Sequence, residues 1–301
     1  MRYPALKLLA LLLCVPLAAQ AQDWAKARLD KSPRHHEYVS LHSGDRTVQA
    51  FVVYPEVKQK APVVVLIHEI FGLTDWAKEM ADEIAASGYI VIAPDLLSGH
   101  GPNGGGSDEF PSQDGAVKAV SALNPDEVMS DLDAAADYAK KIPAANGKLA
   151  VAGFCWGGGK SFAFATHRHD LKAAFVFYGP PPSDLASITA PVYGFYAGND
   201  ARITATIPET TRAMKLAGKR YEPVVYDGAG HGFMRAGEDP SNNNPANKTA
   251  RDRAFERLTS LLKALPGGSA SLATPVKTTS APELAKTAVS CHSSEDSAAI
   301  M

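Results

Sequence analysis

Seven short runs of apolar residues recur along the chain, at 47–54, 63–68, 89–93, 149–154, 173–178, 192–197 and 221–226. Most are continuous instead of alternating with polar residues, the pattern of strands covered on both faces. Between them, segments at 76–87, 126–141, 160–167, 208–217 and 248–264 carry helical patterns. Asn124 can cap the second of these and Pro125 suits its first position, while Gly88 and Gly218 follow the first and fourth as stops. Strands alternating with helices predict an α/β fold, a mostly parallel central sheet with helices on both faces. No internal repeat is visible. Two polar connections, 95–115 and 236–248, are long for simple turns, and the first is expected to form part of a cleft wall.

The ends of the chain read differently. "MRYPALKLLALLLCVPLAAQAQDW" has Arg2 and Lys7, an apolar stretch over 8–17, then Ala19-Gln20-Ala21. This is the charged, apolar, small-x-small order of a secretory leader, with cleavage expected after Ala21. The apolar stretch is short for a membrane span, and Leu13 before Cys14 is bulky where a lipid-attachment site needs a small residue. The expectation is an exported protein, periplasmic or secreted, with no membrane anchor once 1–21 is removed. Beyond Pro266 the composition turns to Ser, Ala, Thr, Pro and Lys, so 266–301 is expected to be a disordered tail. One domain over 22–265 remains. With 301 residues, 46% hydrophobic, 21% charged and a formal net charge of -2, the chain is of ordinary globular composition. That charge gives no support for a nucleic-acid partner, and the chain is expected to be a monomer. Of three cysteines, Cys14 leaves with the leader, and Cys155 and Cys291 read as free thiols.

Chemistry concentrates in Gly153-Phe154-Cys155-Trp156-Gly157, which has the form G-x-nucleophile-x-G between a predicted strand and a predicted helix. In that context the pattern is a nucleophile elbow, a sharp turn that lifts a reactive side chain above the sheet. Buried cysteine is also a common small hydrophobe, so the partners decide. An elbow enzyme places an acid and then a histidine later in the chain. Asp200 follows the 192–197 run, and His231 lies in a glycine-rich loop after the 221–226 run. His231 would act as general base toward the thiol, and Asp200 would orient its ring. The amide of Trp156, the residue after the nucleophile, is one expected donor to the oxyanion formed when an ester carbonyl is attacked. Other patterns fail: no His, Cys and Asp cluster has metal-ligand spacing, the glycine runs at 104–106 and 157–159 match no phosphate or dinucleotide fingerprint, and Asn247-Lys248-Thr249 is too short a glycosylation pattern to weigh. No metal and no cofactor are implied.

Taken together, "HEIFGL" at 68–73, "APDLL" at 93–97, "GFCWGG" at 153–158, "GNDARI" at 198–203 and "GAGHGFMR" at 228–235 resemble the dienelactone hydrolase family of α/β-hydrolases, over most of 37–265. The resemblance implies a Cys155, Asp200 and His231 triad, and a glutamate, Glu69, that contacts the resting thiol and takes part in its activation. It also implies Ile70 as the second oxyanion amide and Arg235 as a holder of the substrate's carboxylate. A second carboxylate-binding arginine of the family is replaced by Gly99, and a serine that often follows the histidine by Gly232. His100 and Arg202 are the cations at hand to compensate. The expected activity is hydrolysis of a small-molecule ester or lactone through a covalent thioester. The alternatives are a general carboxylesterase for small neutral esters and, in another class, a non-catalytic binding or redox-responsive protein on the same fold.

Overall fold

The continuous apolar runs become the interior of an eight-stranded sheet. The computed structural model describes residues 22–265. The expected leader with Cys14 and the expected tail with Cys291 lie outside the described residues. The strands are β1 (His36–Ser43), β2 (Arg46–Val53), β3 (Ala61–Ile67), β4 (Ile90–Pro94), β5 (Ala145–Phe154), β6 (Leu171–Phe177), β7 (Val192–Ala197) and β8 (Tyr221–Tyr226). They lie in the order β1-β2-β4-β3-β5-β6-β7-β8. β1 and β2 form an antiparallel pair, β2 runs antiparallel to β4, and the other neighbours are parallel.

The periodicity explains why helices are needed on both faces. Along β3, Val63, Val65 and Ile67 enter one core while Val64 and Leu66 enter the other, and along β4 Ile90 and Ile92 part from Val91 and Ala93 in the same way. One face is covered by α3 (Gln113–Ala122), α4 (Pro125–Lys141), α5 (Trp156–His167) and α7 (Ile207–Leu216), which contribute Val120, Leu132, Phe162 and Met214. The other is covered by α1 (Asp23–Leu29), α2 (Asp75–Ala86) and α9 (Pro245–Ala264), which contribute Ala25, Trp76, Met80, Ala254 and Leu258. Two short helices, α6 (Ala201–Thr204) and α8 (Phe233–Ala236), follow β7 and β8. No helix among the described residues is long and apolar enough to cross a membrane.

Three differences from the expected elements have physical causes. α5 begins at Trp156 rather than 160, taking three glycines into its first turn, because packing against neighbouring backbone outweighs their low helix propensity. The 95–115 connection is folded around two carboxylates rather than open. Asp95 accepts hydrogen bonds from Leu97 N, Ser107 N and Ser107 Oγ at 3.0, 2.7 and 2.6 Å, and Glu109 accepts from Asn103 N and Gly105 N at 3.0 and 2.9 Å. Ser107 Oγ in turn accepts from Leu73 N at 2.8 Å, which ties this connection to the segment after β3. α3 then starts at Gln113, inside the stretch expected to be irregular.

The fold is tight at Gly157. A Cβ there would overlap the carbonyls of Ile67 and His68, so α5 can pass the end of β3 only with hydrogen in that position. Gly157→Ala is expected to lower unfolding stability by about 1–3 kcal/mol or more, read as a lower urea midpoint with an unchanged slope.

Candidate active site

Five strand ends, those of β3, β5, β6, β7 and β8, meet at one edge of the sheet, the place where parallel α/β sheets gather their chemistry. β5 ends in Phe154, and Cys155 forms the turn into α5 with φ 57° and ψ −116°. Its N–H donates to Phe177 O at 3.0 Å and its carbonyl accepts from Gly159 N at 3.2 Å, so both sides of the strained residue are pinned. β7 delivers Asp200, 8% exposed, at the start of α6. β8 delivers His231 through the turn 227–232.

These three side chains are brought together. His231 Nε2 lies 3.1 Å from Cys155 Sγ, and His231 Nδ1 lies 2.5 Å from Asp200 Oδ2. The acid and histidine loops are laced to each other by backbone and amide groups: Gly198 N donates to Tyr226 O at 2.8 Å, Asn199 N to Ala229 O at 2.9 Å, and Asn199 Nδ2 to Gly228 O at 3.0 Å. Asn247, set aside above as a glycosylation acceptor, is buried and accepts from Gly230 N at 2.8 Å, one residue before the histidine. At Gly232 the backbone has φ 75°, a conformation that favours glycine and explains why no larger residue follows the histidine.

The backbone amides of Trp156 and Ile70 both reach the thiol and favour its ionised form. They therefore point at the space where charge would develop on a substrate oxygen beside Sγ. The loop carrying Ile70 is held from below by His68, whose ring stacks on Trp156 at 5.7 Å and whose Nδ1 meets the carbonyl of Glu69 at 2.7 Å. Burial holds His68 below its ordinary range, so the ring is neutral.

Glu69 stands differently from the expectation. No hydrogen bond joins it to Cys155 among the described residues. Its Oε2 accepts from Arg235 Nε at 2.7 Å, and its Oε1 accepts from Tyr178 Oη at 3.4 Å. Glu69 is 3% exposed, and a carboxylate so buried requires a cation, which Arg235 supplies. Arg235 is thereby committed along its Nε edge, with its guanidinium over the Phe71 ring at 5.2 Å and 28% of the side chain exposed. Burial works against the arginine's charge, but Glu69 more than offsets it and the pKa is raised. Of the two other cations named above, His100 is engaged by Glu127 at 2.8 Å, whereas Arg202 is exposed and its charge reaches the thiol.

Tyr178 is the residue the sequence reading missed. It ends the β6 run between the strands that carry Cys155 and Asp200, is fully buried, and has φ 39°. Its ring packs edge-on against His231 at 5.0 Å and Phe233 at 5.2 Å. Burial and the Glu69 charge push its hydroxyl well above the usual range, so it stays a donor. Its position at a strand end next to the strand that leads to Cys155 is the signal by which it could have been found.

Burial, and after it the Glu69 charge, push the Cys155 thiol up to about 11, while the Trp156 and Ile70 amides and Arg202 pull the other way. The resting thiol is neutral, with His231 Nε2 the nitrogen within reach of its proton. A second acidic cluster, Glu79, Glu83 and Glu238, gathers oxygens within 4.8 Å, but Arg28 and Arg251 already bridge it, and it shares no residue with this site. A nearby recess of about 560 Å³, lined by Arg28, Glu83, Glu238 and Arg251, is likewise built of ion pairs and contains none of Cys155, Asp200 and His231.

Comparison with known proteins shows the family to which the chain is similar. The profile of the Dienelactone hydrolase family matches residues 48–265. The chain is similar to the "Putative carboxymethylenebutenolidase" of Salmonella typhi, 34% identical over 210 residues that cover 64% of this chain and 76% of that protein. It is also similar to the "Probable 2-oxo-3-(5-oxofuran-2-ylidene)propanoate lactonase" of a Bradyrhizobium species, 26% identical over 215 residues covering 65% and 83%. Among solved structures, a "Putative Dienelactone Hydrolase" from Klebsiella pneumoniae superposes with a TM-score of 0.65 at 26% identity, covering 75% of this chain and 97% of that one.

Alkylation of Cys155 by iodoacetamide, followed at its own peptide by mass spectrometry, is expected to accelerate about tenfold per pH unit from roughly pH 7 to pH 10 without levelling off. Glu69→Gln removes the negative charge that helps retain the proton, and should move the profile to lower pH. A wild-type plateau below about pH 8.5, the range of an unperturbed thiol, would contradict the placement of Glu69 and the burial of Sγ.

Proposed function

The chain belongs to the dienelactone hydrolase family, has the α/β-hydrolase fold and is a hydrolase of ester or lactone bonds; on that premise we propose that it is an exported enzyme working through a Cys155, His231 and Asp200 triad. The observation that carries the reading is the continuous chain of contacts from Sγ to Nε2 at 3.1 Å and from Nδ1 to Oδ2 at 2.5 Å.

Sγ attacks the carbonyl carbon as its proton passes to His231 Nε2, and the carbonyl π pair moves to oxygen. The amides of Trp156 and Ile70 meet that oxyanion. Asp200 holds the ring with Nε2 toward the thiol and stabilises the imidazolium. The tetrahedral centre collapses to a thioester, and the leaving alkoxide takes the proton from His231. A water deprotonated by the same nitrogen then attacks the thioester and releases the acid, restoring the thiol. With the thiol at about 11, only about one in 10⁴ is ionised at neutral pH, so this proton transfer is part of the attack rather than a preceding equilibrium. No cofactor enters any step. Export is supported by the leader pattern over 1–21.

The substrate is a small ester or lactone. Arg235, paired with the Glu69 whose charge reaches the thiol, supports an acidic lactone, held by the exposed part of its side chain. One observation favours the second reading, a carboxylesterase for small neutral esters: Arg235 Nε is already occupied by Glu69, and Gly99 stands where a further arginine is lacking.

Hydrolysis of a dienelactone and of a neutral aryl ester by the mature protein, each with and without prior alkylation, tests both points. Cys155→Ala and His231→Ala are expected to lower kcat by at least about 10³-fold, and Asp200→Asn by on the order of 10²–10⁴-fold. Turnover that survives complete alkylation of Cys155 would remove it from the nucleophile role. Preference between the two substrates decides whether Arg235 selects a carboxylate.

A further inference from the structure

We infer that Gln22 is a modification site, where the α-amino group exposed by removal of the leader closes onto its own side chain to give an N-terminal pyroglutamate. The inference rests on the export reading, which makes Gln22 the first residue of the mature chain. Gln22 is half-buried, and its carbonyl accepts from Ala25 N at 2.9 Å and Lys26 N at 3.2 Å, which fixes its main chain at the entry to α1. Its side-chain Oε1 accepts from the backbone N–H of Trp76 at 3.0 Å, across 54 positions of sequence. That N–H is one of the amides that a helix start leaves without an internal partner. Thr74 caps a different one, Ala77 N, at 3.4 Å. The Gln22 side-chain carbonyl is therefore polarised by a donor at the positive end of the twelve-residue helix α2.

This is the polarisation that ring closure needs. The α-nitrogen, four bonds from Cδ, attacks it to form a five-membered ring, and negative charge develops on Oε1, the atom that Trp76 N–H already faces. The Cδ–Nε2 bond then breaks. The proton lost by the α-nitrogen passes to Nε2, which leaves as ammonia, so atoms balance and nothing is oxidised or reduced. Only the uncharged amine attacks; α-amino groups titrate near ~7.7–8.0, and the positive end of α2 favours the uncharged form. Oε1 is retained in the lactam, so the product keeps an acceptor for Trp76 N. It also removes a positive charge from beside that helix end. Trp76 is fully buried and meets Phe154, the residue before Cys155, edge-on at 5.3 Å, so the modified terminus caps the helix packed beneath the nucleophile turn.

The test starts from the full-length precursor, expressed in a host that exports it, with the mature protein read by intact and N-terminal peptide mass spectrometry. The expected product begins at Gln22 and is lighter by one ammonia than the free-amine chain. A product that begins at Gln22 and keeps both nitrogens overturns the inference and leaves the export reading standing. A product with a different first residue, or with the leader retained, overturns the cleavage assignment and the inference with it. The role of the Trp76 amide is read separately, on protein released at Gln22 by a site-specific protease and incubated folded or in urea. Closure should be at least about tenfold faster in the folded chain, and equal or faster closure in urea would overturn the assignment of that donor.

Discussion

The backbone of α5 passes the ends of β3 and β6 with no room for a side chain, and the chemistry of the site depends on that contact. At Gly157 the neighbours of a Cβ would be the carbonyls of Ile67 and His68, so the helix start is wedged between strand ends. A chain that must leave β5 and enter this helix within one residue has to turn sharply at Cys155, which takes φ 57° at a cost of about 1–3 kcal/mol. The same turn directs Trp156 N–H and Sγ toward one space, and the end of β3 brings Ile70 N–H to it. The proposed nucleophile and the proposed oxyanion donors are thus products of a single packing constraint. His231 and Asp200 arrive independently, on β8 and β7, held by hydrogen bonds between their own loops.

Charge around the thiol follows from burial. Glu69 is almost inaccessible and carries a negative charge close to Sγ, which by itself would oppose any anion at the site. Arg235 answers that charge with a 2.7 Å contact, and Tyr178 adds a donor from below. The pair is nearly neutral as a unit: the carboxylate acts on the thiol as a repulsive partner, and 28% of the arginine side chain stays exposed. The buried groups explain one another, and a change in either member leaves the other as an unpaired buried charge.

The interior strands could be read because each face of the sheet is covered, which makes residues such as Val63 to Ile67 apolar without interruption. β1 could not, since His36, Glu37, Ser40 and His42 give it little apolar character and only pairing with β2 defines it as a strand. α1 was hidden in the same way, its single buried residue, Ala25, giving no periodicity. At the site, spacing and chain order carried Cys155, Asp200 and His231, because each lies in the turn that follows a strand. The pairings were beyond reach: Tyr178 meets Glu69 across 109 residues and Arg235 meets it across 166, distances over which one sequence offers no phase. Asn247 was read by a short motif and turned out to be defined by its burial against the histidine loop.

The neutrality of Cys155 bears on why a thiol is tolerable in the compartment proposed for this enzyme. Oxidants and alkylating agents react with thiolate far faster than with thiol. Raising the group from 9.0 to about 11 lowers the ionised fraction at neutral pH about a hundredfold. Burial and Glu69 supply that protection while Sγ stays 3.1 Å from His231 Nε2, the nitrogen proposed to take its proton. In the proposed mechanism a substrate seats its carbonyl oxygen on the Trp156 and Ile70 amides, donors that otherwise serve the sulfur, and the negative charge reaches them as the proton passes to His231. Serine at this position would lack the oxidation hazard but would begin from a poorer nucleophile. A cysteine held neutral until the carbonyl arrives keeps the reactivity and limits the exposure, and the structural cost is one buried carboxylate with its arginine.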